Sequence, residues 1–267
     1  MKLIFALLLS CVALFADSLE SIRQNGVIRI GVYDGQPPFG ELNEGKFEGF
    51  EITMAKTIAN DLFAPKQGRI EFVPMNVEDR IPALINNRVD MVIATITITE
   101  ARSKQIDFSI PYFSVNLGVL TRKDDRIKSL GELRNKRVLL ESGGTGEAFF
   151  RKEGFSNFEF CKIARECYRM LKDGKVDAYA TDNLIVLAYP VADDTVEVAM
   201  KNLGSPDFMG IGVQKGNQEL LDFVNAELIK LSKEGFFKNA YEETFDPFYR
   251  GTADKKYFLL EGIYSFL

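Results

Sequence analysis

Histidine is absent from the 267-residue chain, which removes the commonest general base and the commonest metal ligand together. That counts against hydrolase and metalloenzyme readings, and no metal or cofactor is expected. Cysteine is scarce: one residue lies near the N-terminus, Cys11, and two lie close together, Cys161 and Cys167. The spacing of the pair matches no common metal motif, and a chain of this size needs no staple to hold its core. Two readings of it stand side by side, a disulfide formed in an oxidising compartment and two half-buried free thiols. Long apolar runs are missing as well. The run from Leu3 to Phe15 falls short of the roughly 20 residues a membrane-spanning helix needs, and no later segment is both long and apolar enough. Nor is there an excess of basic charge: 33 Lys and Arg face 38 Asp and Glu, net −5, which argues against nucleic acid as a partner.

The first residues do carry a signal. Lys2 precedes the apolar run, and the run ends in Ala16 before a polar stretch opening with Asp17, the layout of a secretory signal peptide. Leu8-Leu9-Ser10-Cys11 competes as a lipobox whose cysteine would carry a lipid anchor, although the apolar run continues past it. The expectation is an exported, soluble protein of the periplasm with residues 1–16 removed. What remains has the length of one large or two medium domains.

Strand and helix patterns then alternate. Residues 27–32 read as a strand closed by Asp34-Gly35 and Pro37-Pro38, 49–63 as a helix, 70–74 as a strand, 80–86 as a short helix and 89–94 as an apolar strand of the kind buried in a parallel sheet. A helix opens at 99–102, the pattern breaks at 108–112, and a long run at 115–121 ends in charge. A second unit repeats the plan: helix 130–133, strand 137–140, glycine turn 142–146, a helix to 150, strand 158–162, helix 166–173 and strand 178–181. Each unit contains a helix followed by a Val-Asp step, Val89-Asp90 and Val176-Asp177. A strand at 210–213 and an amphipathic helix at 220–235 follow, and the tail past Phe245 is unassigned. Alternation of this kind means α/β architecture with two units of similar plan.

Two stretches suit a small zwitterion such as a free amino acid. Ala94-Thr95-Ile96-Thr97-Ile98-Thr99-Glu100-Ala101-Arg102 runs off the end of a parallel strand, where ligands bind in such folds, and supplies hydroxyls, amides and an arginine able to take both oxygens of a carboxylate. The plainer alternative makes Thr99 a helix cap and Arg102 a surface charge. In the second unit, the turn Ser142-Gly143-Gly144-Thr145-Gly146 offers backbone amides to an anion but lacks the Lys-Ser or Lys-Thr of a nucleotide loop. Asp182 ends a strand at the corresponding edge. It can hold an ammonium, cap the helix that follows, or do both.

With Gly31, Pro37-Pro38-Phe39, Gly49-Phe50-Glu51-Ile52, the Thr95 to Arg102 stretch, Phe108-Ser109-Ile110-Pro111-Tyr112 and Asp182 in this order, the chain resembles the family 3 periplasmic amino-acid-binding proteins. The resemblance implies an α/β, two-lobed periplasmic-binding-protein fold of type II, with two mixed, mainly parallel sheets joined by hinge strands at 115–121 and 205–213. Lobe 1 would take residues 17–115 and 205–267, and lobe 2 residues 116–204. It implies a monomer that closes over a free amino acid and delivers it to the membrane subunits of an ABC importer. Carried over by position, Arg102 and Thr97 bind the carboxylate, Thr145 and Gly144 meet it from lobe 2, Asp182 holds the ammonium, and Ala94 and Thr95 add contacts. Gln36, Val77 and Arg80 line the lobe 1 edge, Gln36 replacing an aromatic common in relatives and Arg80 standing where binders of acidic amino acids read the side chain. Thr53 replaces a second acid of the family signature. The wording around Asp182-Asn183 and from Glu234 to Tyr241 is most similar to the cysteine-binding members, so cysteine or cystine is the expected ligand. Aspartate or glutamate is the alternative, and a cyclohexadienyl-dehydratase-like enzyme is the rival from another class.

Overall fold

Both units fold as sheets whose strands alternate their apolar residues between two covered faces. The computed structural model describes residues 18–260, so the expected signal peptide, Cys11 and the end of the tail lie outside the described residues. The strands are β1 (Val27–Val32), β2 (Gly35–Gln36), β3 (Gly40–Asn43), β4 (Lys46–Glu48), β5 (Arg69–Pro74), β6 (Met91–Ile93), β7 (Ile106–Phe108), β8 (Phe113–Arg122), β9 (Val138–Glu141), β10 (Phe158–Cys161), β11 (Ala178–Asp182), β12 (Val196–Met209) and β13 (Gly212–Gln214). The first lobe has the sheet order β5-β1-β6-β13-β7, with β1 parallel to β5 and β6. The second has the order β10-β9-β11-β8-β12, with β9 parallel to β10 and β11 and with β8 antiparallel to β11 and β12. β2, β3 and β4 form a small separate sheet.

The helices that position the site are α1 (Leu19–Asn25), α2 (Phe50–Phe63), α3 (Arg80–Ile85), α4 (Glu100–Ser103), α5 (Leu130–Leu133), α6 (Gly146–Lys152), α7 (Ala164–Lys172), α8 (Asn183–Ala192) and α9 (Gln218–Lys233). On β6, Met91 and Ile93 pack with Ile52, Ile58 and Leu62 of α2 and Leu220, Val224 and Leu228 of α9, while Val92 points the other way, to Leu84 and Ile106. In lobe 2, Val138 and Leu140 join Phe150 on one face, and Leu139 joins Leu171 and Val186 on the other. The repeated Val-Asp step has a physical reason. Asp90 accepts the backbone N–H of Arg29 at 2.7 Å, Asp177 accepts that of Arg137 at 2.8 Å, and each carboxylate also pairs with that arginine's side chain.

Three features depart from the expectations. β12 is a 14-residue strand with three register shifts against β8, although Lys201 to Asp207 shows no apolar period; it forms because β8, buried along nearly its whole length, offers an edge to pair. The tail is structured: Phe245, Tyr249, Tyr257 and Phe258 are buried, with Phe258 and Phe113 ring centroids 4.7 Å apart. The strand foreseen at 89–94 is only Met91–Ile93, since the chain leaves the sheet at Ala94. Beside the start of β8 and the end of β12, Tyr112 donates its N–H to Met209 O at 3.0 Å and Ile98 donates its N–H to Phe208 O at 2.7 Å. Among the described residues no helix is long and apolar enough to cross a membrane.

Of the two readings of the cysteine pair, the structure has the disulfide, between Cys161 at the end of β10 and Cys167 in α7, both buried. Cross-linking so short a loop restrains the unfolded chain modestly, by about 2 kcal/mol. The double substitution Cys161→Ser, Cys167→Ser is therefore expected to lower the thermal midpoint by about 5 °C, measured by calorimetry, while leaving a folded protein.

Candidate functional site

Where β6 ends, Thr95 takes a left-handed backbone, φ 47°, which a β-branched residue adopts only under constraint. Three contacts supply the constraint. Its N–H donates to Glu51 Oε1 at 2.8 Å, and its carbonyl and hydroxyl oxygens accept from the two terminal nitrogens of Arg80, each at 3.2 Å. Glu51 is a buried acid in the first turn of α2 that also accepts from the Tyr112 hydroxyl; burial pushes its carboxyl up, and these donors oppose the shift. Arg80, at the start of α3, is 4% exposed, lies 5.3 Å over the Tyr33 ring, and has no hydrogen-bond partner for its Nε among the described residues.

Arg102 sits in α4. Thr99 caps that helix, its hydroxyl accepting the Arg102 N–H at 3.2 Å, yet the guanidinium is no surface charge: Nη1 donates to Thr97 O at 2.7 Å and Nη2 to Gly143 O at 2.8 Å across the cleft. Burial, then repulsion by Arg80, lowers its pKa to about 10, so it stays charged at neutral pH. Gly143 is left-handed at φ 79°, and a Cβ there would come within 3.2 Å of the Glu78 Cα in lobe 1. Glycine thus permits both the turn and the approach of the lobes. Lys162 and Glu78 add an ion pair across the same junction at 3.0 Å.

Asp182 immediately precedes α8 but makes no side-chain cap bond, so its carboxylate is left for the cleft. Burial, then the negative charges of Glu141 and Asp207, raises it from 3.8 to about 7 against the pull of Arg80 and Arg102. Gln36, 3% exposed, has a buried Nε2 with no partner among the described residues. The cleft between the lobes encloses about 460 Å³ of space not filled by protein atoms, part of it open to solvent.

Nine of the residues expected at the site line this one cleft: Gln36, Val77, Arg80, Thr95, Thr97, Arg102, Gly144, Thr145 and Asp182. Ala94 does not. It continues the strand alternation beyond Val92 and packs in the same core cluster, with Tyr33 and Leu84. The sequence reading missed Leu117, Leu140, Glu141, Thr181 and Ile185, which also line the cleft. Glu141 had a visible signal, an acid directly between the buried run Val138-Leu139-Leu140 and the glycine turn. It is 7% exposed; its Oε1 accepts from the Tyr179 hydroxyl and its Oε2 from Tyr33 of lobe 1 at 3.5 Å. One cleft therefore combines a guanidinium from lobe 1 with an uncapped carboxylate from lobe 2, the complement of a small zwitterion.

Residues 28–247 match the family described as bacterial extracellular solute-binding proteins, family 3. The chain is 35% identical over 233 residues to the ABC transporter glutamine-binding protein of Bacillus subtilis (strain 168), covering 85% of this chain and 84% of the relative. It superimposes with a TM-score of 0.85 and 35% identity on the solute receptor for L-cysteine of Neisseria gonorrhoeae, over 90% of this chain and 98% of the other. The cysteine-binding protein of Campylobacter jejuni gives the same TM-score and identity, over 89% and 96%.

Proposed function

The chain belongs to family 3 of the bacterial extracellular solute-binding proteins, and on that premise we propose that it captures free cysteine outside the cytoplasmic membrane and delivers it to an ABC importer. The observation that carries this reading is the pairing of Arg102 with Asp182 across one cleft. The guanidinium takes the ligand's α-carboxylate through both oxygens, with the Thr97 and Thr145 hydroxyls beside it, and Asp182 takes the α-ammonium. A ligand held from both lobes stabilises their closed arrangement, which is the state an importer can distinguish from the empty protein. Closure involves movement of the lobes about the paired segments of β8 and β12, with 17–115 and 205–267 on one side and 116–204 on the other.

Cysteine is preferred because two similar solved structures are a solute receptor for L-cysteine and a cysteine-binding protein. Glutamine is the second reading, favoured by the Bacillus subtilis relative and by the unpartnered amide of Gln36. The test is a thermal-shift screen of refolded protein against the twenty amino acids and cystine. At a hundred times the dissociation constant a ligand adds about 2.7 kcal/mol, a rise of about 5–10 °C for a chain of this size. A shift with cysteine or cystine alone supports the proposal, and one with glutamine alone supports the second reading. A shift confined to aspartate and glutamate replaces both. No shift with any amino acid refutes the amino-acid reading, and turnover of prephenate or arogenate would then decide for a dehydratase.

A further inference from the structure

We infer that Glu141 sets the charge class of the ligand, balancing Arg80 inside the closed cleft so that amino acids with uncharged side chains enter and acidic ones are turned away. The inference rests on the amino-acid-binding reading above. Four charged side chains line the cleft, Arg80, Arg102, Glu141 and Asp182. A zwitterion uses one of each sign, Arg102 and Asp182, and leaves Arg80 and Glu141 facing whatever side chain the ligand carries. The side-chain hydrogen bonds of Arg80 go to Thr95, which is neutral, so its charge is balanced through space, by the buried Glu51 on the lobe 1 side and by Glu141 on the lobe 2 side.

Glu141 is placed to supply that balance. Its two oxygens face the hydroxyls of Tyr179 and Tyr33, both phenols acting as donors, which is the surrounding of an ionised acceptor. Tyr33 links the pair physically, since its ring lies under the Arg80 guanidinium and its hydroxyl meets Glu141. Burial raises the Glu141 carboxyl, and the Tyr179 hydroxyl, the Arg80 charge and the Tyr33 hydroxyl all act against that rise, in the direction of ionisation. The Tyr33 to Glu141 contact crosses from lobe 1 to lobe 2, so the balance is completed only on closure. An acidic ligand side chain would then bring a further negative charge beside Glu141 and Asp182, whereas an uncharged one leaves the count at zero.

The test compares dissociation constants, by titration calorimetry on refolded protein, for cysteine, serine, glutamine, aspartate and glutamate in the wild type and in Glu141→Gln. Glutamine keeps the shape and an acceptor for Tyr179. The wild type is expected to bind its best neutral amino acid at least 100-fold more tightly than aspartate or glutamate, and E141Q to shrink that ratio at least tenfold. Arg80→Gln, which leaves Glu141 unmatched, is expected to widen the ratio and serves if E141Q does not fold. A wild type that prefers acidic ligands overturns the inference, as do ratios within twofold of wild type in a folded variant, even where absolute affinities fall. Cysteine or glutamine bound with unchanged selectivity in both variants would leave the functional reading intact and reduce Glu141 to a structural acceptor. A wild type that binds no amino acid overturns both.

Discussion

Arg102→Ala is expected to weaken amino-acid binding by about 30-fold at the least and to as much as several thousandfold, because truncating one partner of a buried charge pair costs about 2–5 kcal/mol and each 1.4 kcal/mol is a factor of ten. The empty protein should unfold at nearly the wild-type temperature. Its guanidinium donates to the backbone oxygens of Thr97 and Gly143 at the cleft, and the Thr99 cap uses the backbone N–H that alanine retains. The loss has two sources. One is the carboxylate's fork of donors, and the other is the bridge from Nη2 to Gly143, which ties the lobes together before any ligand adds its own contacts. Arg102→Lys separates them: a lysine keeps the charge but not the planar fork, so it should recover only part of the affinity. Calorimetric titration with the best ligand of the screen, beside ligand-free thermal unfolding, measures both. Affinity within threefold of wild type in the alanine variant would move the carboxylate elsewhere, to the amides of the glycine turn.

How much of this could be read from the sequence depends on how local each cause is. β6 and the segment after it were legible because a buried strand, a polar edge and a capped helix follow one another within twelve residues, from Met91 to Arg102. Asp182 was legible for the same reason, although only the structure shows that its carboxylate leaves the cap unmade. The network of Tyr33, Arg80 and Glu141 was not, since it joins three segments distant in sequence and across the two lobes. β12 escaped because its pairing with β8, and not its own composition, makes it a strand. The cysteines gave a spacing that two readings satisfied equally, and only the approach of β10 to α7 decides between them. Ala94 and Thr95 part ways by one step of strand alternation, which turns the Ala94 side chain to the core while Thr95, with its reversed backbone, lines the cleft.

Asp182→Asn should cost a similar 30-fold or more at pH 8 and should also change how binding responds to pH. In the empty cleft the Asp182 acid is raised from 3.8 to about 7, first by burial and then by Glu141 and Asp207. Holding an ammonium requires the carboxylate, so below about pH 7 a proton must leave as the ligand arrives. Wild-type affinity is therefore expected to fall as pH falls from 8 to 5, by up to tenfold per unit, and to level off above about 7. For the empty protein the same group works in the opposite sense. Its raised acid favours the folded, closed cleft at low pH, and that contribution is lost as pH climbs from about 4 through 7. A ligand bringing a positive charge removes this penalty, so the stabilisation it gives should be largest at the alkaline end. The amide of the D182N variant cannot ionise, so the variant should lose the Asp182 step in a titration series from pH 5 to 8 along with the affinity. Any slope that persists would come from other carboxyls around the cleft, since burial raises Glu141 and Asp207 as well, and the double variant with Glu141→Gln measures the share that belongs to Glu141. A wild-type profile flat across this range would place the ammonium away from Asp182.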